Sequence, residues 1–167
     1  YLDVIRNKTA ILFAAAIAAG AEVAGAEKTT IEATHDYGLQ LGMAFQIMDD
    51  AMDYCQSSAA MGKNRGDDFL DQKITLPMIL ASGDGDDAER NFWHKTIRDG
   101  DFADGDFDKA HSILQRHNAI ERSIAEAVTY ASAAEATMQR IAEQSKADPA
   151  LLEALCEAAR FAAHRQT

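Results

Sequence analysis

The sequence predicts an all-α protein, a helical bundle in which residues 1–167 form a single helical domain. Small and apolar residues recur at helical spacing along most of the chain. No segment combines alternating apolar and polar residues with many β-branched side chains, so no sheet is expected. A chain of 167 residues is also long enough to bury a substantial core.

The first helix is expected to begin almost at Tyr1 and to include an uncharged, Ala-rich run that ends at Gly20. Arg6 and Lys8 before this run also outline a secretory signal, with the Ala-Gly-Ala of residues 24–26 as a cleavage site. The run is too short to cross a bilayer comfortably. We therefore expect a buried, Ala-rich helix and no transmembrane segment.

The remaining helices are marked by start and stop signals. Thr29 and Glu32 form a capping box that predicts the start of the second helix. Pro77 fits the first turn of the third helix, which Gly83 and Gly85 end. Further helices are expected over about 86–98, 106–117 and 118–145, with a last one from 148 onward.

Three carboxylates close the second helix, which is otherwise apolar. Asp49, Asp50 and Asp53 fall within about 100° of one helix face, and Gln46 lies in the same arc. Their repulsion is unfavourable, and the negative end of a helix disfavours each anion by roughly 0.3–1 kcal/mol. A divalent cation reverses both effects, and oxygen ligands without His or Cys favour Mg²⁺. The alternative is a solvated acidic helix end, which the apolar flanking residues disfavour.

A charged loop containing glycines follows the acids. Gly62 and Gly66 allow sharp bends and a close approach of the backbone to a ligand. Lys63, Arg65 and Lys73 can place cations opposite a polyphosphate. We favour a ligand-binding role for Lys63 and Lys73, and we interpret Arg65 as an ordinary surface charge. Acids that hold a metal, followed by such a loop, indicate a diphosphate ligand.

Composition excludes several other functions. A formal net charge of −11 argues against nucleic-acid binding, which requires basic patches. The same charge disfavours binding of free phosphates unless a metal bridges them. Cys55 and Cys156 are too few for a disulfide scaffold or a zinc site. The cytoplasm is therefore the expected location.

The acid motif and the following loop resemble the second half of trans-polyprenyl diphosphate synthases, most of all their octaprenyl and decaprenyl members. The matching segments are Lys8-Thr9-Ala10, Phe45-Gln46-x-x-Asp49-Asp50-x-x-Asp53, Gly62-Lys63, Gly66-x-Asp68-Phe69 and Lys73-x-Thr75-Leu76-Pro77, with a late helix from Ala119 to Ala134. The specific motifs lie between residues 42 and 77. One departure is Gln72, where the family usually has Gly before the lysine.

The resemblance implies a bundle of the isoprenoid synthase type, of which this chain forms the carboxy-terminal half. Family members carry an earlier Asp-rich motif and basic residues that hold isopentenyl diphosphate, and these have no counterpart in this sequence. The acids around Asp68 are interpreted as a helix start, with Asp68 as a partner of Mg²⁺ or of a lysine. We expect the chain alone to have little or no activity.

The resemblance also implies a catalytic role for the acids and for two lysines. Asp49 holds Mg²⁺, and Asp50 and Asp53 contribute directly or through bound water. Lys8 and Lys63 contact the diphosphate oxygens. These groups together stabilise the negative charge of the leaving diphosphate.

Four further side chains complete the substrate site that the resemblance implies. Thr9 and Gln46 orient the allylic group, Phe45 faces the carbocation, and Lys73 is a weaker candidate for diphosphate contact. The face below the Lys8 ammonium carries Leu12 and small alanines. These alanines either pack closely against another helix, which we favour, or leave room for a hydrocarbon tail.

The implied substrates are an allylic diphosphate and isopentenyl diphosphate, joined repeatedly into an all-trans long chain such as a quinone side chain. A homodimer is expected. Two other interpretations stay open: a noncatalytic partner subunit of a heteromeric prenyl synthase, and a structural helical interaction domain. Terpene cyclases share the acid motif, but the Gly-Lys and Lys-x-Thr-Leu-Pro segments favour chain-elongating synthases.

Overall fold

The computed structural model of the protein describes residues 1–55, 66–144 and 147–164. All regular structure in these residues is helical, which confirms the predicted fold class. The helices are α1 Leu2–Val23, α2 Lys28–Met52, α3 Asp67–Leu70, α4 Leu76–Asp84, α5 Asp87–Trp93, α6 Asp106–Arg116, α7 Ala119–Gln144 and α8 Pro149–Ala163. Two segments have π-helical geometry, namely Arg6–Ala10 within α1 and His94–Arg98 directly after α5.

The helices begin close to the predicted positions, and two of them begin at side-chain caps. Asp86 and Asp148 accept hydrogen bonds from the first turns of α5 and α8, as N-cap side chains do. The capping box predicted at Thr29 is wrong, because α2 already begins at Lys28. The backbone carbonyl of Glu27 accepts from the N–H groups of Thr30 and Ile31, so Thr29 lies inside the first turn.

The contacts within the chain define two compact units. The first contains Tyr1 and the described part of Asp49–Ile124, and the second contains Leu2–Met48 and the chain from Ala125 onward. Helices α2 and α7 each run from one unit into the other. The single domain expected for residues 1–167 stays a prediction.

An aromatic cluster forms the core of the first unit. Phe69 of α3 is 1% exposed, and its ring centroid lies 5.3 Å from that of Phe102 and 5.9 Å from that of Phe107. Phe92 and Trp93 of α5 are also buried against it. Burial of each large apolar side chain contributes roughly 1.5–3 kcal/mol. This cluster therefore fixes α3, the short helix that follows the charged loop.

A buried carboxylate joins α5 to the end of α6 in the same unit. Glu89 accepts from the backbone N–H of Asp86 and from the Arg116 guanidinium. The His117 Nε2 lies 2.8 Å from the Glu89 Oε2. This nitrogen is the donor, because an ionised carboxylate only accepts. The hydrogen bond from His117 is the main cause that lowers the pKa of Glu89 below its ordinary value. Glu89 is therefore an ionised anchor between two helices.

Close contact between α1 and α2 organises the second unit. A Cβ atom placed on Gly42 would lie 2.6 Å from the Ala10 Cα, and one on Gly38 would lie 2.7 Å from the Ala14 Cα. These glycines allow the two backbones to approach. Tyr37 directly precedes Gly38 in α2, and its hydroxyl donates to the Leu155 carbonyl of α8 at 2.8 Å.

The prediction of a buried Ala-rich helix is wrong for most of α1. Leu12 is 69% exposed and Val23 is 90% exposed, and Ala15 and Ala19 are exposed as well. The reason is that α1 packs on α2 through the side that carries Ala10, Phe13 and Ala14, which leaves Leu12, Ala15 and Ala19 outside this contact. The close packing that we favoured for the alanines below Lys8 is therefore not observed.

Within the described residues, Leu2–Val23 is also the helix whose length and composition would allow it to cross a membrane. A core helix or a signal sequence passes the same test. The expected absence of a transmembrane segment stays a prediction.

The contact between α1 and α2 can be tested with paired glycine substitutions. We expect Gly42→Ala to lower the free energy of unfolding by about 1–3 kcal/mol, because its methyl group forces the backbones apart. The control is Gly20→Ala in α1, where nothing lies within 4 Å of an added Cβ. That change should raise stability by about 0.5–1 kcal/mol. Urea unfolding measures both, and equal effects would contradict the close contact.

The Glu89 anchor predicts a specific pH dependence. Because folding lowers the Glu89 pKa, its charge stabilises the fold above the ordinary value of 4.5, and this contribution is lost as pH falls through the lowered pKa. Glu89→Gln should lower the melting temperature at pH 7 by roughly 3–8 °C. The difference from the wild type should shrink below pH 4.5. Thermal melts from pH 7 to pH 3 test this, with exposed Glu121→Gln as control, and a constant difference would exclude the ionised anchor.

Candidate functional site

The acids predicted to bind metal lie at the carboxyl end of α2 and belong to the first unit. Asp50 is only 6% exposed, and Asp49 and Asp53 are partly buried. Asp49 and Asp50 occupy the last turn of α2, and Asp53 follows directly after Met52. The acids are therefore partly withdrawn from water, as expected for a site.

Asp50 has a partner that the sequence did not indicate. The Tyr1 hydroxyl donates to the Asp50 Oδ2 at 2.6 Å, across 49 positions of sequence. Burial raises the pKa of Tyr1, and the hydrogen bond to Asp50 raises it further, so the hydroxyl keeps its proton as a donor. No spacing rule connects residue 1 to residue 50.

Asp53 is held by the first turn of α3. Its Oδ2 accepts from the backbone N–H of Asp68 at 3.1 Å. Burial raises the pKa of Asp53 to about 6; the nearby acids Asp68 and Asp67 act in the same direction, while the Asp68 N–H and Lys73 act against it. A nearby cation stabilises the charged form of such a buried carboxylate more than that of an exposed one.

Lys73 contacts acids of its own segment. Its Nζ lies 2.7 Å from the Asp68 Oδ1 and 3.2 Å from the Asp71 Oδ2, and the bond to Asp68 is the main cause that raises its pKa. The expectation that Asp68 partners a lysine is confirmed. In this structure, Lys73 therefore balances the charge of Asp68, whose N–H in turn holds Asp53.

The backbone around these acids takes conformations that favour glycine. Gly66 has φ of +81°, its N–H donates to the Asp53 carbonyl, and a Cβ there would lie 2.1 Å from the Phe107 ring. Gln72, which stands where the resembled family usually has Gly, has φ of +56°. Its amide group also lies over Gly100, about 3.4 Å from where a Cβ would be. The departure from the family pattern thus keeps the backbone conformation and adds a side-chain contact.

Four other predicted residues lie in the second unit. Thr9 and Lys8 belong to the π-helical turn of α1, and such turns are frequent at functional sites. The Thr9 hydroxyl donates to the Gln46 Oε1 at 2.9 Å, which fixes the orientation of that amide. Phe45 packs on Phe13, with ring centroids 5.5 Å apart. Lys8 is exposed. Thr9 and Gln46 are thus in contact, and their predicted role in orienting the allylic group stays a prediction.

The other cationic residues of the loop are outside the described part of the chain. These are Lys63 and Arg65, together with Gly62. Their predicted roles stay predictions.

The acids fit a hard cation held by few protein ligands. Among the described residues, no group of three or more His, Cys, Asp or Glu side chains is arranged to hold a metal ion. Mg²⁺ usually binds one or two carboxylates and completes its octahedron with water and phosphate oxygens. The partly desolvated oxygens of Asp49, Asp50 and Asp53 fit that chemistry, with ligand oxygens completing the shell, rather than a closed cage.

Similarity to known proteins extends over most of the chain. The family model described as Polyprenyl synthetase matches residues 1–114. Octaprenyl diphosphate synthase of Haemophilus influenzae is 37% identical over 121 residues, which is 72% of this chain and 36% of that protein.

Solved structures match over nearly the whole chain. The polyprenyl synthase from Caulobacter crescentus, complexed with calcium and isoprenyl diphosphate, gives a TM-score of 0.89 at 41% identity, over 100% of this chain and 49% of that one. The decaprenyl diphosphate synthase from Rhodobacter capsulatus gives a TM-score of 0.88 at 40% identity, over 99% of this chain and 49% of that one. The chain thus spans about half of these structures, and its isoprenoid synthase fold is confirmed.

The close approach of Gly66 to Phe107 can be tested by adding one methyl group. Gly66→Ala should lower the free energy of unfolding by more than about 2 kcal/mol, because it adds left-handed backbone strain to a steric clash. The control is Gly83→Ala in α4, where an added Cβ meets nothing within 4 Å. Chemical denaturation compares the two, and a Gly66→Ala variant as stable as the control would contradict this packing.

Proposed function

Because this chain belongs to the polyprenyl synthetase family, we propose that its complete protein is a magnesium-dependent prenyltransferase. It joins an allylic diphosphate to isopentenyl diphosphate and elongates it to an all-trans polyprenyl diphosphate. The observation that carries this proposal is the partly buried set of carboxylates at the end of α2, whose oxygens are of the type that a hard cation binds. The match to octaprenyl and decaprenyl synthases supports a long-chain product.

The reaction balances without a dedicated protein base. The allylic C–O bond breaks, its electron pair leaves with diphosphate, and a delocalised carbocation remains. The double bond of isopentenyl diphosphate attacks this cation and forms the new carbon–carbon bond. A proton then leaves to the departed diphosphate, which restores a double bond. The protein's main task is to stabilise the negative charge on the leaving group.

The acids of the first unit hold the cation that this task needs. Asp49 would hold Mg²⁺, and Asp50 and Asp53 would contribute directly or through bound water. When bound, Mg²⁺ neutralises the charge that develops on the diphosphate. The Asp68 N–H fixes the Asp53 carboxylate, and Lys73 neutralises Asp68, so Lys73 acts on the diphosphate less directly than Lys63.

The residues of the second unit act on the substrate itself. The exposed Lys8 ammonium contacts diphosphate oxygens as a point charge. Thr9 holds the Gln46 amide in one orientation, and that amide orients the allylic group. The face of the Phe45 ring stabilises the carbocation electrostatically.

The complete protein needs more than these residues. The chain spans about half the length of its matched relatives, so the second substrate site belongs to the remainder of the protein, and the chain alone is inactive. We further propose a homodimer located in the cytoplasm. Two free cysteines, Cys55 and Cys156, support a reducing compartment.

Ligand-induced stabilisation tests the metal and diphosphate site on the chain as it is. Addition of MgCl₂ with inorganic pyrophosphate should raise the melting temperature by several degrees, because a ligand at 100 times its Kd contributes about 2.7 kcal/mol. Asp49→Ala should abolish this shift. The matched control is Asp36→Ala, an acid on the same helix with a side chain that is 67% exposed. It should retain the shift.

Two results of this experiment would contradict the proposal. One is a wild-type chain with no shift in the presence of both ligands. The other is an Asp49→Ala variant with a shift equal to that of Asp36→Ala. Either result would favour a structural helical domain or a noncatalytic subunit.

A further inference from the structure

Tyr1 makes a polar contact with one of the acids but has no role in the reaction described above. Its hydroxyl donates to the Asp50 Oδ2 at 2.6 Å, the length of a charge-assisted O–H···O⁻ bond. Asp50 is 6% exposed, so water competes little for this oxygen. A hydrogen bond of this kind, made to a desolvated acid, holds the acid in one orientation.

The hydrogen bond has a consequence for the Asp50 carboxylate. With Oδ2 engaged by the phenol, rotation of the carboxylate about its Cβ–Cγ bond is restricted. Groups that orient a metal-binding side chain in this way typically affect metal affinity 10- to 100-fold.

We infer that Tyr1 is a positioning residue for Asp50, which it orients through a hydrogen bond for the binding of a divalent cation. This inference rests on the proposed function, since it assumes that Asp50 takes part in metal binding. Tyr1 itself touches neither the metal nor the substrate.

The test compares two identical substitutions at different places. Tyr1→Phe and Tyr37→Phe each remove one phenol hydroxyl that donates a hydrogen bond, to Asp50 in one case and to the Leu155 carbonyl in the other. Both should lower the melting temperature of the metal-free chain slightly. Mn²⁺ binding, followed by the electron paramagnetic resonance signal of the free ion, should weaken about tenfold in Tyr1→Phe. It should stay within twofold of wild type in Tyr37→Phe.

A double-mutant cycle with Asp50→Asn separates positioning from general destabilisation. If Tyr1 acts through Asp50, Tyr1→Phe should have no further effect on Mn²⁺ binding in the Asp50→Asn background. A tenfold effect that persists there, or unchanged Mn²⁺ binding in the single variant, would overturn the inference while leaving the metal site intact. A wild-type chain that binds no Mn²⁺ would overturn the metal site and this inference with it.

Discussion

The placement of negative charge at the end of an apolar helix is the constraint on which the candidate site depends. Asp49, Asp50 and Asp53 meet at the negative end of the α2 dipole, and Asp50 is nearly removed from water. The fold compensates part of this repulsion with donors from elsewhere in the chain. The Tyr1 hydroxyl serves Asp50, and the Asp68 N–H serves Asp53. Burial, together with the nearby Asp68 and Asp67, still raises the pKa of Asp53, so its ionised form stays disfavoured.

These donors are in place because an apolar core holds their backbone. Phe69 anchors α3 within the aromatic cluster, and Gly66 allows the chain to enter that helix against the Phe107 ring. The same short helix presents the Asp68 N–H to Asp53 and the Asp68 carboxylate to Lys73. Packing of aromatic rings and positioning of charges are thus two consequences of one local arrangement.

Sequence reasoning succeeded where the signal is local. Helix periodicity, the helix starts near Asp86 and Asp148, and the acids spaced along α2 are properties of neighbouring residues, and the structure has them as predicted. It failed at Thr29, because the helix already begins at Lys28, with the Glu27 carbonyl accepting from its first turn. It also failed for the burial of α1, because composition does not determine which side of a helix packs against its neighbours.

The sequence by itself determined the helical class, the family resemblance and the identity of the acids, since each depends on spacing within a few turns. Only the tertiary structure decided which donors reach those acids. Tyr1 and Asp50 are 49 positions apart, and Gln72 meets Gly100 across a loop. Contacts of this kind depend on how the chain closes on itself, and closure is set by the packing of the whole core rather than by any local pattern.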